Sequence, residues 1–179
     1  MTSSLEETKF ILKKYNITAN KRLGQNFLID DNTIESIVEI AKTNKEDLVI
    51  EIGPGLGTLT SKLLENAGKV IAIELDEKMI KILEDRFKFY NNFILLNEDV
   101  LKVDLQELIK QNKGELKKVK IIANLPYYIT TPIIMKLLEN KLDIESITVM
   151  VQKEVADRIT ATPGDKLSGA ITYSVDYYA

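Results

Sequence analysis

Asn124-Leu125-Pro126-Tyr127 places an amide, a backbone carbonyl and an aromatic ring within one tetrapeptide, directly after the apolar run Val119 to Ala123. Proline fixes its own φ and drives the preceding Leu125 toward an extended backbone. The amide and carbonyl oxygens can then accept hydrogen bonds from an exocyclic amine, and the ring can stack on a flat nucleobase. The same tetrapeptide would serve as an ordinary turn, because Asn and Pro are both turn residues. A second group upstream separates the two readings. Glu51-Ile52-Gly53-Pro54-Gly55-Leu56-Gly57 lies between an apolar run and a helical pattern. Glycines let a backbone turn tightly and approach a ligand with no Cβ in the way. A helix beginning near Thr58 offers unpaired N–H groups beside them. Glu74 ends the next apolar run, where a carboxylate can accept two ribose hydroxyls. Asp99 follows the run after that, where it can accept an adenine amino group. Structural turns also use a glycine-rich loop. They do not require carboxylates at the two following strand ends.

The glycine spacing discriminates between adenosine cofactors. A dinucleotide site has the form G-x-G-x-x-G, which, counted from Gly53 and Gly55, requires a third glycine where Thr58 stands. Here it comes one residue early, at Gly57, and no Lys-Ser/Thr pair forms a P-loop. An acidic residue ahead of three glycines, as at Glu51, is the form seen in S-adenosylmethionine-dependent methyltransferases. That cofactor carries no pyrophosphate and needs no phosphate cradle.

Composition removes other chemistry. The chain of 179 residues has neither cysteine nor histidine, which excludes disulfides, thiol nucleophiles, imidazole bases and His- or Cys-based metal sites, so no metal is expected. The formal net charge of −3 lacks the overall basic footprint of a nucleic-acid binder. Positive charge is local, at Lys9, Lys13, Lys14, Lys21 and Arg22, where a solvated helix face is the commoner reading. No apolar run approaches the roughly 20 residues needed to span a bilayer. The first residues have no basic n-region or apolar h-region. A cytoplasmic protein without membrane contact is expected.

The elements that must position these groups alternate. Residues 4–15 and 31–42 read as amphipathic helices, the second with Ile34, Ile37, Val38 and Ala41 at helical spacing and Asp30 or Asp31 as a cap. Strands are expected at 48–52, 70–73, 93–96, 119–123 and 147–151. Helices are expected at 58–66, 76–89 (capped by Asp76), 104–110, 131–140 and 154–159. Short, near-continuous apolar strands between helices mean βαβ units and a mostly parallel sheet covered on both faces. Ligands of such sheets bind outside the carboxyl ends of the strands, at the topological switch point. Met79, Ile80, Leu83 and Phe87, with Met135, Leu137 and Leu138, read as core. Ala170 to Tyr178 fits period two and helical spacing equally. A strand at 147–151 needs a neighbour on each side to avoid a bare edge. Both features imply a chain that stops inside a longer protein.

Four segments together resemble the ribosomal RNA adenine dimethyltransferase family, in its small-subunit branch. They are Lys21-Arg22-Leu23-Gly24-Gln25-Asn26-Phe27-Leu28, Glu51 to Gly57, Asn124 to Tyr127, and Val151-Gln152-Lys153-Glu154-Val155-Ala156-Asp157-Arg158. The resemblance implies an α/β Rossmann-like class I methyltransferase fold truncated before its last strands. It divides the chain into an N-terminal helix and basic arm (1–22) and an incomplete catalytic domain (23–179), with the family's C-terminal helical RNA-binding domain absent. It implies S-adenosyl-L-methionine as cofactor and small-subunit RNA, or the small ribosomal subunit, as partner. The expected reaction is dimethylation of two adjacent adenosines near the 3′ end of that RNA, by a monomer when full length.

By the same resemblance Asn26 and Leu28 reach over the methionine part of the cofactor. Gly53 and Gly55 line it, Glu74 holds the ribose, Asp99 the adenine, and the Val100 N–H an adenine ring nitrogen. Asn124 lies where cofactor and target base meet, with Leu125, Pro126 and Tyr127 completing the catalytic turn. Tyr128 stands where many members have Asn, a tolerated change at the pocket rim. The resistance branch, which modifies large-subunit RNA, more often resembles Asn-Ile-Pro-Tyr, so Leu125 favours the housekeeping branch. Two rivals remain: that branch, and a cofactor-binding assembly or transcription factor that has lost turnover. A nicotinamide dehydrogenase is disfavoured by the glycine spacing and by the lack of a His or Tyr-x-x-x-Lys relay.

Overall fold

The computed structural model describes residues 3–17, 27–126 and 128–179. Of the residues singled out above, Lys21, Arg22, Gln25, Asn26 and Tyr127 lie outside them. The elements run α1 (Ser4–Lys14), α2 (Asp31–Ala41), β1 (Asp47–Ile52), α3 (Thr58–Asn66), β2 (Lys69–Glu74), α4 (Glu77–Phe87) and β3 (Phe93–Asn97). They continue α5 (Leu105–Asn112), β4 (Lys118–Asn124), α6 (Thr130–Glu139), β5 (Ser146–Met150), α7 (Lys153–Ile159) and α8 (Ala170–Tyr178). The five strands form one parallel sheet in the order β3-β2-β1-β4-β5.

Strand periodicity divides the core in two. Leu48, Ile50, Ile52, Ile71, Ile73, Val119, Ile121 and Ala123 face α5, α6 and α8. Val49, Val70 and Ile122 face the opposite way, against α1 to α4. Burying each such aliphatic side chain is worth about 1.5–3 kcal/mol. The central strands β1, β2 and β4, apolar on both sides, therefore go to the middle. The half-buried β3 and β5 take the edges. A one-residue slip would turn every side chain to the wrong face. The β1–β4 pairing has a further pin: the buried Lys120 ammonium meets Asp47 at 2.9 Å and donates to the Lys42 carbonyl at 2.6 Å.

Helix starts follow the expected caps. Asp30, not Asp31, caps α2 through the Thr33 N–H at 2.8 Å, and Asp76 caps α4 through the Lys78 N–H at 2.8 Å. Met79, Leu83 and Phe87 of α4 and Leu137 of α6 are buried as expected, while Ile80, Met135 and Leu138 are only partly so. Ile82 is fully buried in α4, and in α6 Ile133 and Ile134 join Leu137 inside. The ambiguous segment from Ala170 is a helix packed on α6 and α7. Ile171 and Thr172 are buried, and the Thr172 hydroxyl donates to the Arg158 carbonyl at 2.6 Å. Strand β5 is consequently an edge of the described sheet, with β4 as its one partner.

Candidate functional site

In this strand order the chain turns back between β1 and β4: β2 and β3 lie on one side of β1, β4 and β5 on the other. That is the switch point, and a cleft of about 730 Å³ opens there beyond the carboxyl ends of the strands. Its lining includes Leu28, Gly53, Gly55, Glu74, Asp99, Val100, Asn124, Leu125 and Pro126. Every described residue expected at the site therefore meets in one cleft. Register brings the two motifs together. Ile52 pairs with Ala123, so Gly53 and Asn124 are the next residues of neighbouring strands. A Cβ added to Gly53 would stand 3.8 Å from the Asn124 carbonyl oxygen.

The loop itself has two kinds of glycine. Gly55, at φ 58°, faces the cleft, where its α-carbon is covered by the Phe27 ring, 3.7 Å from a virtual Cβ. Gly57, at φ 82°, faces the protein: a Cβ there would come within 2.6 Å of the Phe87 ring and 2.8 Å of Leu83. The early third glycine therefore lets α3 start tight against α4. This packing role sets the loop's exit.

Glu74 ends β2 with its carboxylate turned into the loop. It accepts the Gly55 N–H at 3.1 Å and the Leu75 and Asp76 N–H groups at 2.9 Å each. Burial pushes this carboxyl above the usual range, and the N–H bonds of Asp76, Gly55 and Leu75 pull it back. A carboxylate has about four lone-pair positions. Three bonds leave room for one ligand hydroxyl on Oε2, where two ribose contacts were expected. Next door, the Asn97 side chain donates to the Glu74 carbonyl at 3.0 Å and to the Leu75 carbonyl at 3.3 Å, clasping the ends of β2 and β3. Asp99 comes next, its Oδ1 accepting the Leu101 N–H at 3.0 Å, with Val100 buried beside it.

Glu51 is a feature the sequence reading noted only as a spacing. Period two turns it to the α3 side of β1, where it is 2% exposed. The Thr60 hydroxyl donates to its Oε2 at 2.6 Å. Burial pushes its carboxyl up to about 8; the Thr60 bond opposes this, the Glu74 charge adds to it, and Arg86 offsets part. At neutral pH Glu51 is mostly a neutral acid in the cleft wall.

On the other side of the switch point, Asn124 pairs in register with Met150, and the Leu125 N–H donates to the Met150 carbonyl at 3.2 Å. The Pro126 carbonyl accepts the Ile129 N–H at 3.3 Å and the Thr130 hydroxyl at 2.9 Å, which starts α6 at once. The turn is thus held at both ends by backbone bonds. Tyr128 is exposed at the rim of the cleft. The Lys153-Glu154 and Asp157-Arg158 pairs are exposed on α7.

The lining is asymmetric. The β1 to β3 side contributes Glu51, Glu74, Asp76, Glu77, Glu98 and Asp99 against one cation, Lys78, whereas the ends of β4 and β5 contribute no charged side chain among the described residues. An acidic half with an open carboxylate lone pair fits a cationic donor carrying ribose hydroxyls. Sequence reasoning missed Phe27, Asn97 and Arg86 as builders of this cleft. For Phe27 the signal was its place in the Gln-Asn-Phe-Leu segment. Asn97 and Arg86 act through partners distant in sequence and carried no local signal.

The chain matches the family described as Ribosomal RNA adenine dimethylase over residues 16–179. It is 55% identical over 171 residues to Ribosomal RNA small subunit methyltransferase A of Clostridium botulinum (strain ATCC 19397 / Type A), covering 96% of this chain and 61% of that protein. It is 51% identical over 175 residues to the protein of the same name in Lachnoclostridium phytofermentans, covering 97% and 60%. The chain thus spans about three fifths of the length of these relatives. A dimethyladenosine transferase from Plasmodium falciparum superposes with a TM-score of 0.72 at 33% identity, over 84% of this chain and 52% of that one. The 23S rRNA methyltransferase ErmE superposes with a TM-score of 0.65 at 31% identity, over 75% and 51%. The parallel sheet with helices on both faces is the Rossmann-like class I methyltransferase fold, whose cofactor in these enzymes is S-adenosylmethionine. The chain belongs to the ribosomal RNA adenine dimethylase family.

Proposed function

We propose that this chain is most of the catalytic domain of an S-adenosylmethionine-dependent N6,N6-dimethyltransferase. Its substrate is a pair of adjacent adenosines near the 3′ end of small-subunit ribosomal RNA, methylated during subunit maturation in the cytoplasm. The reading is carried by the juxtaposition of Gly53 and Asn124 across the switch point. The small-subunit name of relatives at 51–55% identity supports it over the large-subunit branch.

When bound, the sulfonium supplies an electrophilic methyl. Glu74, with one lone pair open, orients a ribose hydroxyl, while Asp99 and the Val100 N–H orient the adenine. Leu28 and Phe27 cover the cleft against water. An adenine N6 amine is a poor nucleophile because its lone pair is delocalised into the ring. The Asn124 side-chain oxygen and the Leu125 carbonyl accept its two N–H bonds. That favours a pyramidal nitrogen and stabilises the positive charge developing on it, a preorganised electrostatic effect. Holding the amine in place beside the bound methyl donor would supply the remainder. A base reaches this pocket only by leaving its stack, and Tyr127 is the ring proposed to receive it. Stacking of this kind is worth about 1–3 kcal/mol per base. Methyl transfer leaves a cationic nitrogen, which gives one proton to water; the resulting monomethylated amine keeps one N–H and can re-enter for the second transfer.

The test is methyl transfer from S-adenosylmethionine to unmodified small subunits, with large-subunit RNA as comparison and mass spectrometry of digested RNA as readout. N6,N6-dimethyladenosine in the small-subunit RNA alone is the expected result. Product in the large-subunit RNA alone would assign the resistance reaction. Cofactor binding without product in the full-length protein would assign the non-catalytic role.

A further inference from the structure

Arg86 stands near the end of α4, outside the cleft, and is the most connected cation in the described structure. Its guanidinium donates to the Leu56 carbonyl in the glycine-rich loop, to Ser61 Oγ at 3.3 Å on α3, and to Glu7 Oε1 at 2.6 Å on α1. The side chain is 11% exposed. A guanidinium has five N–H donors in a rigid planar fork, and here that fork joins three separate elements. Its neighbour Asp85 repeats the arrangement with opposite sign. It meets Lys14 at 2.8 Å and accepts the Tyr15 hydroxyl. Glu7 and Lys14 are seven residues apart, about two helical turns, so they share one face of α1. Shifting α1 along α4 would bring like charges together, so the two pairs select one docked position.

That position bears on the cleft. The chain leaving α1 reaches Ile17, whose N–H donates to the Leu12 carbonyl at 2.9 Å and which lines the cleft wall. Phe27 lines it too, against Gly55. Leu56, held by Arg86, lies between Gly55 and Gly57 and is itself buried. We infer that Arg86 is a positioning residue for the cofactor, coupling the docking of α1 to the shape of the glycine-rich loop. The inference rests on the reading of this cleft as the S-adenosylmethionine site.

The experiment is calorimetric titration of the chain with S-adenosylmethionine, for the wild type, Arg86→Met, Arg86→Lys, Glu7→Gln and the double variant Glu7→Gln/Arg86→Lys. Thermal midpoints are recorded alongside. Arg86→Met is expected to weaken binding about tenfold, and Arg86→Lys and Glu7→Gln about threefold each, the scale of hydrogen bonds to charged groups acting indirectly. The double variant should fall well short of ninefold, because the two residues act through one contact. A merely structural role would lower the midpoints and leave the dissociation constants alone. Affinities within twofold of wild type in folded Arg86→Met and Glu7→Gln would overturn the coupling. If Arg86→Met fails to fold, the half-exposed Glu7→Gln decides by itself. A wild-type chain that does not bind the methyl donor would instead remove the reading of the cleft, and the coupling with it.

Discussion

The two halves of the cleft are built from different chemistry. At the ends of β1 to β3 stand carboxyl groups, two of them buried and tied to the glycine-rich loop or α3. At the ends of β4 and β5 stand an amide, backbone carbonyls and apolar side chains, with no charged side chain among the described residues. Both halves come from the same kind of strand end, so the difference lies in the loop that each strand feeds. Behind β1 and β2, loops of glycine and N-cap residues supply N–H donors that tolerate buried acid. Behind β4, the Leu125 N–H is spent on the Met150 carbonyl and proline removes the next donor and fixes the chain. One half suits a cation with hydroxyls. The other suits a neutral amine that must be accepted from, not deprotonated. The lack of a histidine anywhere in the chain is consistent with that division.

The largest effect should come from removing the amine acceptor. Asn124→Ala in the full-length protein is expected to lower methyl transfer to small subunits about a hundred- to a thousandfold, the scale seen when one preorganised polar contact to a developing charge is lost. RNA affinity should change little, since the backbone bonds of Leu125 and Pro126 keep the turn in place. Equal loss of turnover and RNA binding would reduce Asn124 to a turn residue and erase the contrast between the halves.

Removing the carboxylate of the other half should act on binding instead. Glu74→Ala is expected to weaken S-adenosylmethionine about ten- to a hundredfold in a titration, the range for a hydrogen bond to a charged group. It also leaves the Gly55, Leu75 and Asp76 N–H groups without their acceptor, so the thermal midpoint should fall. A lower midpoint with unchanged affinity would make Glu74 a loop brace only and take it out of the site.

Much of this was legible along the chain because the relevant forces are local. Near-continuous apolar runs announced the parallel strands, and Asp30 and Asp76 announced their helices, since a cap needs only its own next turn. Glu74 and Asn124 could be placed because they end strands, and Asp99 because it comes two residues after one. What stayed hidden depends on the assembled fold. Arg86 is 30 residues from Leu56 and 79 from Glu7, so no local pattern joins them. Ala170 to Tyr178 fits a strand as well as a helix until α6 offers a surface for Ile171. Gly57 looked like part of a ligand loop, yet its Cα faces Phe87, a residue of the next helix but one in the βαβ repeat. Glu51 is the intermediate case: a glutamate inside an apolar strand signals burial, but only the placement of Thr60 and Glu74 fixes its protonation.

The smallest and most selective test concerns that protonation. Glu51 is raised from an ordinary 4.5 to about 8 in the folded chain. Between those values the native state keeps a proton that the unfolded state has lost. Its contribution to stability is therefore complete below about pH 4.5 and is lost as the pH rises through about 8. The slope is at most about 1.4 kcal/mol per pH unit for a single group. Glu51→Gln preserves an acceptor for the Thr60 hydroxyl and cannot ionise. Urea midpoints measured from pH 5 to pH 8 should therefore show the wild type losing stability relative to the variant with each step upward. Glu74, also raised by burial, tilts both curves the same way and largely cancels in the difference. Parallel curves would mean that Glu51 ionises like an exposed carboxyl. The acidic half would then hold one more negative charge at neutral pH than its geometry implies, and the two halves of the cleft would differ more strongly than described.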